Sequence, residues 1–259
     1  MSDDVNDRVH DFLNDNVTWR QSQSIFPRSP RLEFFDIMLK KPDWKNSKIL
    51  DIGGNRGNLL EDGIKTGDIS PVNYYCLDVD KSAIEFGQSQ HPDANWVHHQ
   101  AFNHMYNPEG VDNTEFPFDD NMFDIVVAYS VYSHTTFSQL KFDISEIQRV
   151  SKSNAVVAFT VVDKLSAEYF TSKRREDYPG KTCVTHEDIL LTDIEDYKYF
   201  VDNDLLIDQL NNTHGVEHLV TIYNTDWLSK QFQPQLNMKM KFPPNGHVQK
   251  TMVFTNESE

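Results

Sequence analysis

The chain has 259 residues, which suits one α/β domain with an elaboration or at most two small domains. Its 38% hydrophobic residues can build a continuous core, which argues against global disorder. The formal net charge of -16 repels phosphate backbones, and acids directly follow the densest basic cluster, residues 173–175, so we expect no nucleic-acid partner.

Targeting and membrane signals are missing from the sequence. The first residues are acidic and lack the apolar core of a signal peptide, and no run of about 18 apolar residues could span a membrane. The two cysteines, Cys76 and Cys183, form neither a CxxC motif nor a disulfide framework. We therefore expect a cytoplasmic protein without a membrane partner; the sequence does not indicate its oligomeric state.

Residues 1–45 are polar with spaced apolar positions, and Pro27 and Pro30 divide them into two short predicted helices, the second over 32–39. Short apolar runs then alternate with helical stretches. The predicted strands are 48–53, 74–80, 96–100, 123–129 and 155–162, and the helices between them are 55–65, 82–88 and 138–150. This alternation predicts a parallel sheet that is covered by helices on both faces.

The alternation stops at residues 164–215, which are charged and rich in aromatic side chains. So long a segment between sheet strands predicts a cap over the site. A helix at 225–232 and strands at 236–242 and 247–254 follow, and the last two flank a predicted hairpin turn. We therefore divide the chain into a helical lid (1–45), a cofactor-binding half (46–163), a cap or substrate insertion (164–215) and a C-terminal part (216–259).

A glycine-rich turn, D-I-G-G-N-R-G at residues 51–57, follows the first predicted strand. Glycine lets a ligand approach the backbone closely. The dinucleotide pattern GxGxxG fails at two of its three glycines from either Gly53 or Gly54, which disfavours a nicotinamide oxidoreductase. The turn resembles the first motif of class I S-adenosylmethionine-dependent methyltransferases, D-x-G-x-G-x-G, with Asn55 in place of the middle glycine. Asn tolerates positive φ better than most residues.

Two further passages resemble the same family. Asp78 ends the second predicted strand, where a carboxylate can accept both ribose hydroxyls; the alternative is that Asp78 and Asp80 are only helix caps, which is the better interpretation of Asp80. Residues 117–127 resemble the L-P-F-x-D-x-x-F-D-x-V segment of small-molecule methyltransferases.

The resemblance implies a Rossmann-like, seven-stranded, mostly parallel sheet with a C-terminal antiparallel hairpin. It also implies S-adenosylmethionine as cofactor and S-adenosylhomocysteine as product. The turn would face the methionine and ribose portions, and Gln100-Ala101 would replace an Asp-Ala pair that contacts the adenine. The implied cofactor-binding residues are Asp51, Gly53, Gly54, Asn55, Gly57, Asp78, Val79, Gln100, Ala101 and Ser130.

The sulfonium methyl is already activated, so the protein mainly aligns donor and acceptor in a closed cleft. His134 is the candidate general base; the alternatives are that it hydrogen-bonds a ligand or caps the next helix. The metal-ligand motif HExxH is missing, so we expect no metal. The candidate substrate contacts are Tyr129, Ser133, Arg28 and Tyr169.

Motifs typical of nucleic-acid amino methyltransferases and of protein arginine methyltransferases are missing after the fourth predicted strand. We therefore expect O- or N-methylation of a small molecule. Two alternatives stay open, a catalytically silent scaffold that binds the cofactor and a methyltransferase acting on protein or nucleic acid.

Overall fold

The computed structural model describes residues 31–103, 106–135, 137–162, 223, 225–241 and 249–256. In this part of the chain the helices are α1 (Arg31–Leu39), α2 (Asn58–Thr66), α3 (Lys81–Gln90), α4 (Phe137–Val150) and α5 (Thr225–Phe232). The strands are β1 (Ile49–Ile52), β2 (Tyr74–Asp78), β3 (Asn95–His98), β4 (Phe123–Ala128), β5 (Ser151–Val161), β6 (Lys239–Lys241) and β7 (Lys250–Thr255).

The seven described strands form one sheet in the order β3-β2-β1-β4-β5-β7-β6. Strands β1 to β5 pair in parallel, whereas β7 runs antiparallel to both β5 and β6. This confirms the predicted Rossmann-like, mostly parallel sheet with antiparallel strands at its C-terminal end. After β1 the chain builds the sheet outwards through β2 and β3, and then returns to place β4 on the other side of β1. Ligands of open α/β sheets bind at such a switch point, beyond the carboxyl ends of the strands.

Helices cover both faces of the sheet, as predicted. Neighbouring strand residues point to opposite faces, so Ile49 packs with α1, α2 and α3 while Leu50 packs with α4 and α5. Both side chains are fully buried, as are Leu60 of α2 and Leu140 of α4. The central strands therefore give the loops at their carboxyl ends a rigid base.

Helix α4 ends at Val150 and β5 begins at Ser151, directly after it. Residues 149–155, R-V-S-K-S-N-A, contain neither Pro nor Gly. The β4–β5 register shifts between Phe123 and Ile125, and Asn154, within this irregular stretch of β5, has a φ of 67°. Strand β5 therefore begins four residues earlier than the sequence predicts.

Several predicted segments lie outside the described residues. They are the first N-terminal helix, the 164–215 cap and the hairpin turn at 243–246, and the four segment boundaries also stay predictions. Among the residues that are described, no helix is both long and apolar enough to cross a membrane.

Candidate active site

A cavity of about 1060 Å³ lies beyond the carboxyl ends of β1, β2 and β4. One wall is the turn after β1 together with the first residues of α2, and another is the end of β2. The segments that follow β3 and β4, together with residues of α1 and α4, form the rest. The cavity thus occupies the switch point of the sheet.

The turn after β1 has the backbone that its glycines predict. Gly53, Asn55 and Gly57 have φ values of 64°, 53° and 85°, in the left-handed region that favours glycine. A Cβ atom on Gly53 would also overlap the side chain of Val131 in the segment after β4. Asn55 adopts the positive φ that its replacement of the middle glycine requires.

Asp78, the last residue of β2, lines the cavity and is held by two backbone amides. Asn55 N donates to its Oδ2 atom and Asp80 N to its Oδ1 atom, each at 2.8 Å. Burial raises the pKa of this carboxyl. Asp80 instead caps α3 by accepting from Ser82 N and Ala83 N. The structure therefore confirms the cap at Asp80 and leaves Asp78 facing the cavity.

Asp51 is a buried carboxyl on the same side of the cavity. Tyr74 Oη donates to its Oδ2 atom at 2.6 Å. Burial raises the pKa of Asp51 to about 7, although the Tyr74 hydrogen bond and the charge of Arg31 oppose the rise. Its carboxyl is therefore poised to take or release a proton near neutral pH.

Arg31, the first residue of α1, also lines this part of the cavity. Its backbone amide donates to Asp62 Oδ2 at 2.6 Å, and its guanidinium carbon lies 3.2 Å from the centroid of the Tyr129 ring. Helix α1 thereby brings a cation to the turn after β1. Arg31 was not predicted, because nothing in the sequence near it indicates which strand it meets.

The segment after β4 supplies Tyr129, Ser130 and His134 to the cavity wall. The His134 backbone is fixed on both sides, since its amide donates to Val131 O at 2.8 Å and its carbonyl accepts from Asn103 Nδ2 at 3.3 Å. Ser133 is buried and lies behind the wall, with its Oγ atom 3.4 Å from that of Ser130. Of the two predicted substrate contacts here, Tyr129 lines the cavity and Ser133 does not.

The segment after β3 differs from the sequence-based prediction. Ala101 lines the cavity, but the exposed Gln100 side chain turns away, and its Nε2 atom lies 2.8 Å from His98 Nδ1. His99 lines the cavity instead, and burial lowers the pKa of its ring to about 4, so it is neutral at pH 7. The structure therefore does not bring Gln100 to the place expected for the adenine.

Helix α4 closes the inner end of the cavity with Gln139 and Asp143. Gln139 Nε2 donates to Asp143 Oδ1 at 2.6 Å. Burial raises the pKa of Asp143 to about 7, despite the opposing hydrogen bond from Gln139. The cavity thus has a third buried carboxyl, far along the sequence from Asp51 and Asp78.

Residues 50–159, which contain this cavity's turn and strands, match the methyltransferase domain family. These residues form a methyltransferase domain of the class I, S-adenosylmethionine-dependent type.

Solved structures share the fold of this methyltransferase at low sequence identity. One is a chain from the complex of the Haloferax volcanii Trm112 methyltransferase activator with a methyltransferase (TM-score 0.56, 11% identity, covering 89% of this chain and 91% of that chain). A Pyrococcus horikoshii protein has a TM-score of 0.56 at 12% identity, covering 88% of this chain and 90% of that chain. A Methanosarcina mazei S-adenosylmethionine-dependent methyltransferase has a TM-score of 0.50 at 15% identity, covering 86% and 98%.

The cavity residues of the methyltransferase fit S-adenosylmethionine. The positive-φ turn lets a ligand approach the backbone, and the start of α2 directs helix amides at the same space, which favours a carboxylate. Asp78 retains acceptor capacity for ribose hydroxyls, because a carboxylate has about four lone-pair sites and the amides of Asn55 and Asp80 take one on each oxygen. Nine of the ten implied cofactor-binding residues lie in or directly beside this space. They are Asp51, Gly53, Gly54, Asn55, Gly57, Asp78, Val79, Ala101 and Ser130.

Some predicted site residues remain untested. Arg28 and Tyr169 lie outside the described residues, so their contacts with a substrate stay predictions. In the described part of the chain no cluster of three or more potential ligands could hold a metal ion. Sequence reasoning missed Arg31, His99 and Asp143, which reach the cavity from elements whose relative positions are set by the packing of the whole sheet.

Proposed function

We propose that this methyltransferase transfers a methyl group from S-adenosylmethionine to an oxygen or nitrogen atom of a small molecule. The observation that carries the proposal is the cavity itself. Its volume of about 1060 Å³ is at the upper end of the roughly 300–1000 Å³ range of ligand pockets. The cavity therefore has room for the cofactor and a small acceptor together.

The positions of the cofactor contacts support this proposal. Asp78 would accept the ribose hydroxyls, and Asp51 and Arg31 would face the amino and carboxylate groups of the methionine portion. The sulfonium would then lie near the turn, opposite the segment after β4. Val131 of that segment packs directly against Gly53 of the turn. Tyr129, Ser130 and His134 belong to that segment, so an acceptor reaching the methyl group would meet them.

In this arrangement the protein acts mainly through alignment and the exclusion of water. When bound, the cofactor supplies an activated methyl group. His134 would take a proton from an acceptor that is protonated at neutral pH, and its fixed backbone keeps the ring beside the cavity. An acceptor that is already deprotonated would need only the positioning.

The net charge of -16 favours a small acceptor over a nucleic acid, because polyanions are repelled by an acidic surface. Methyl-labelled S-adenosylmethionine, incubated with the enzyme and a cell extract, tests this. We expect label in the small-molecule fraction and none in protein or nucleic acid. The Asp78→Asn variant is the control, since it lacks the proposed ribose contact.

Label found only in the protein or nucleic-acid fraction would contradict the small-molecule proposal. Binding of the cofactor without transfer to any fraction would favour the silent-scaffold alternative. The labelled metabolite, once isolated, would identify the acceptor atom.

A further inference from the structure

We propose that Gln249 is a positioning residue, which holds the Ser130 hydroxyl so that it presents a proton to the cofactor. This rests on the proposed function, which places the sulfonium of the cofactor opposite the segment after β4 that contains Ser130. Gln249 lies 119 residues from Ser130 in sequence, directly before β7.

Three hydrogen bonds join Ser130, Thr160 and Gln249 in a closed ring. Ser130 N donates to Thr160 Oγ1 at 2.7 Å, and Thr160 Oγ1 donates to Gln249 Oε1 at 2.6 Å. Gln249 Nε2 closes the ring by donating to Ser130 Oγ at 2.8 Å. The ring links the end of β4 to β5 and to the start of β7, so three parts of the sheet fix one hydroxyl.

The direction of these bonds determines what Ser130 can offer. Its Oγ atom accepts from Gln249, so its own proton must point elsewhere. The Ser133 Oγ atom is 3.4 Å away, longer than the roughly 2.5–3.0 Å typical of O–H···O bonds. The proton is therefore available to an acceptor atom in the cavity that Ser130 lines.

The Ser130 backbone adopts a conformation that its own side chain disfavours, so the surrounding hydrogen bonds must stabilise it. Its φ of 61° is in the left-handed region, which a residue with a Cβ atom adopts at a cost. Thr160 is fully buried, and its hydroxyl both accepts and donates a hydrogen bond within the ring. The adjacent Val131 is the side chain that a Cβ atom on Gly53 would overlap, and Ser130 lines the same cavity as the cofactor turn.

Calorimetric titration with S-adenosylhomocysteine tests the proposal. Gln249→Leu removes the ring without changing the side-chain volume greatly, and we expect a roughly fivefold loss of affinity, as for one hydrogen bond. Ser130→Ala should lose a similar factor. Because Gln249 acts through Ser130, the double variant should bind no more weakly than Ser130→Ala alone.

Asn256, at the other end of β7, provides a matched control. Its side-chain amide also bridges strands, donating to the carbonyls of Gln148, Ser151 and Lys152, but it lies away from the cavity. Asn256→Leu should lower the melting temperature and leave the affinity unchanged. Gln249→Glu is a second variant in case Gln249→Leu fails to fold. Its carboxylate can still accept the hydrogen bond from Thr160, but it accepts the Ser130 proton instead of donating to Ser130 Oγ.

The proposal would be overturned if both Gln249 variants bound S-adenosylhomocysteine as tightly as the wild type. It would also be overturned if the losses of affinity from Gln249→Leu and Ser130→Ala added fully in the double variant. Absence of binding by the wild-type protein would overturn the proposed cofactor contacts as well. That outcome is distinct, because it appears without any substitution.

Discussion

Replacing Asp78 by Asn should weaken cofactor binding strongly while preserving the fold. Each Asp78 oxygen accepts one backbone amide and has a lone pair left for a ribose hydroxyl. In Asp78→Asn the new amino group must face either Asn55 N or Asp80 N, so two donors oppose each other. The variant also loses one charge-assisted bond to the ribose. We expect a loss of about 3 kcal/mol, or roughly 150-fold in Kd.

Isothermal titration with S-adenosylhomocysteine measures this loss directly. Asp80→Asn is the matched control, because it changes a neighbouring carboxyl that only caps α3 and Asn caps helices equally well. Its affinity and melting temperature should equal those of the wild type. A folded Asp78→Asn protein with an affinity within threefold of the wild type would show that another group binds the ribose.

Three further predictions concern the other walls of the cavity. Gly53→Ala should lower the melting temperature, because Ala at a φ of 64° costs about 1 kcal/mol and its Cβ overlaps Val131; an unchanged melting curve would contradict this. Asp143→Asn should flatten the pH dependence of stability. Folding raises the pKa of Asp143 from 3.8 to about 7, so its stabilising effect is present below pH 4 and is lost as the pH rises through 7. The wild-type melting temperature should therefore fall by several degrees from pH 5 to pH 8, and Asp143→Asn should fall less; parallel curves would refute the assignment. His134→Ala should lower turnover without changing cofactor affinity. If His134→Gln restores turnover, His134 only hydrogen-bonds a ligand, whereas an equally slow Gln variant supports a base.

The cofactor side of the site could be predicted because it is local in sequence. Strand β1, its turn, α2 and β2 are consecutive, so the spacing between Asp51 and Asp78 already places two carboxyls at one end of the sheet. Positive φ at Asn55 also follows from its position in the motif. Local chemistry is sufficient for these residues, since each acts on its near neighbours.

The rest of the site depends on which strands become neighbours. Gln249 and Thr160 meet Ser130 only because β7 inserts beside β5, and Arg31 reaches Tyr129 only because α1 packs over the end of β4. Gln100 turns away because β3 ends at His98, where the alternation of side chains stops. The local sequence around each of these residues does not indicate which distant residue it contacts.

The position of β7 has a consequence for biosynthesis. Strand β5 pairs with β7 over six residues, yet the Thr160 and Gln249 side chains that meet there are separated by 89 residues. During translation β5 must wait for those residues to emerge from the ribosome, and until then it is an unpaired edge that can join other chains. We therefore expect proteins truncated before residue 249 to aggregate rather than to fold into enzymes of reduced activity. The same delay ensures that the Ser130 hydroxyl is set in place among the last events of folding.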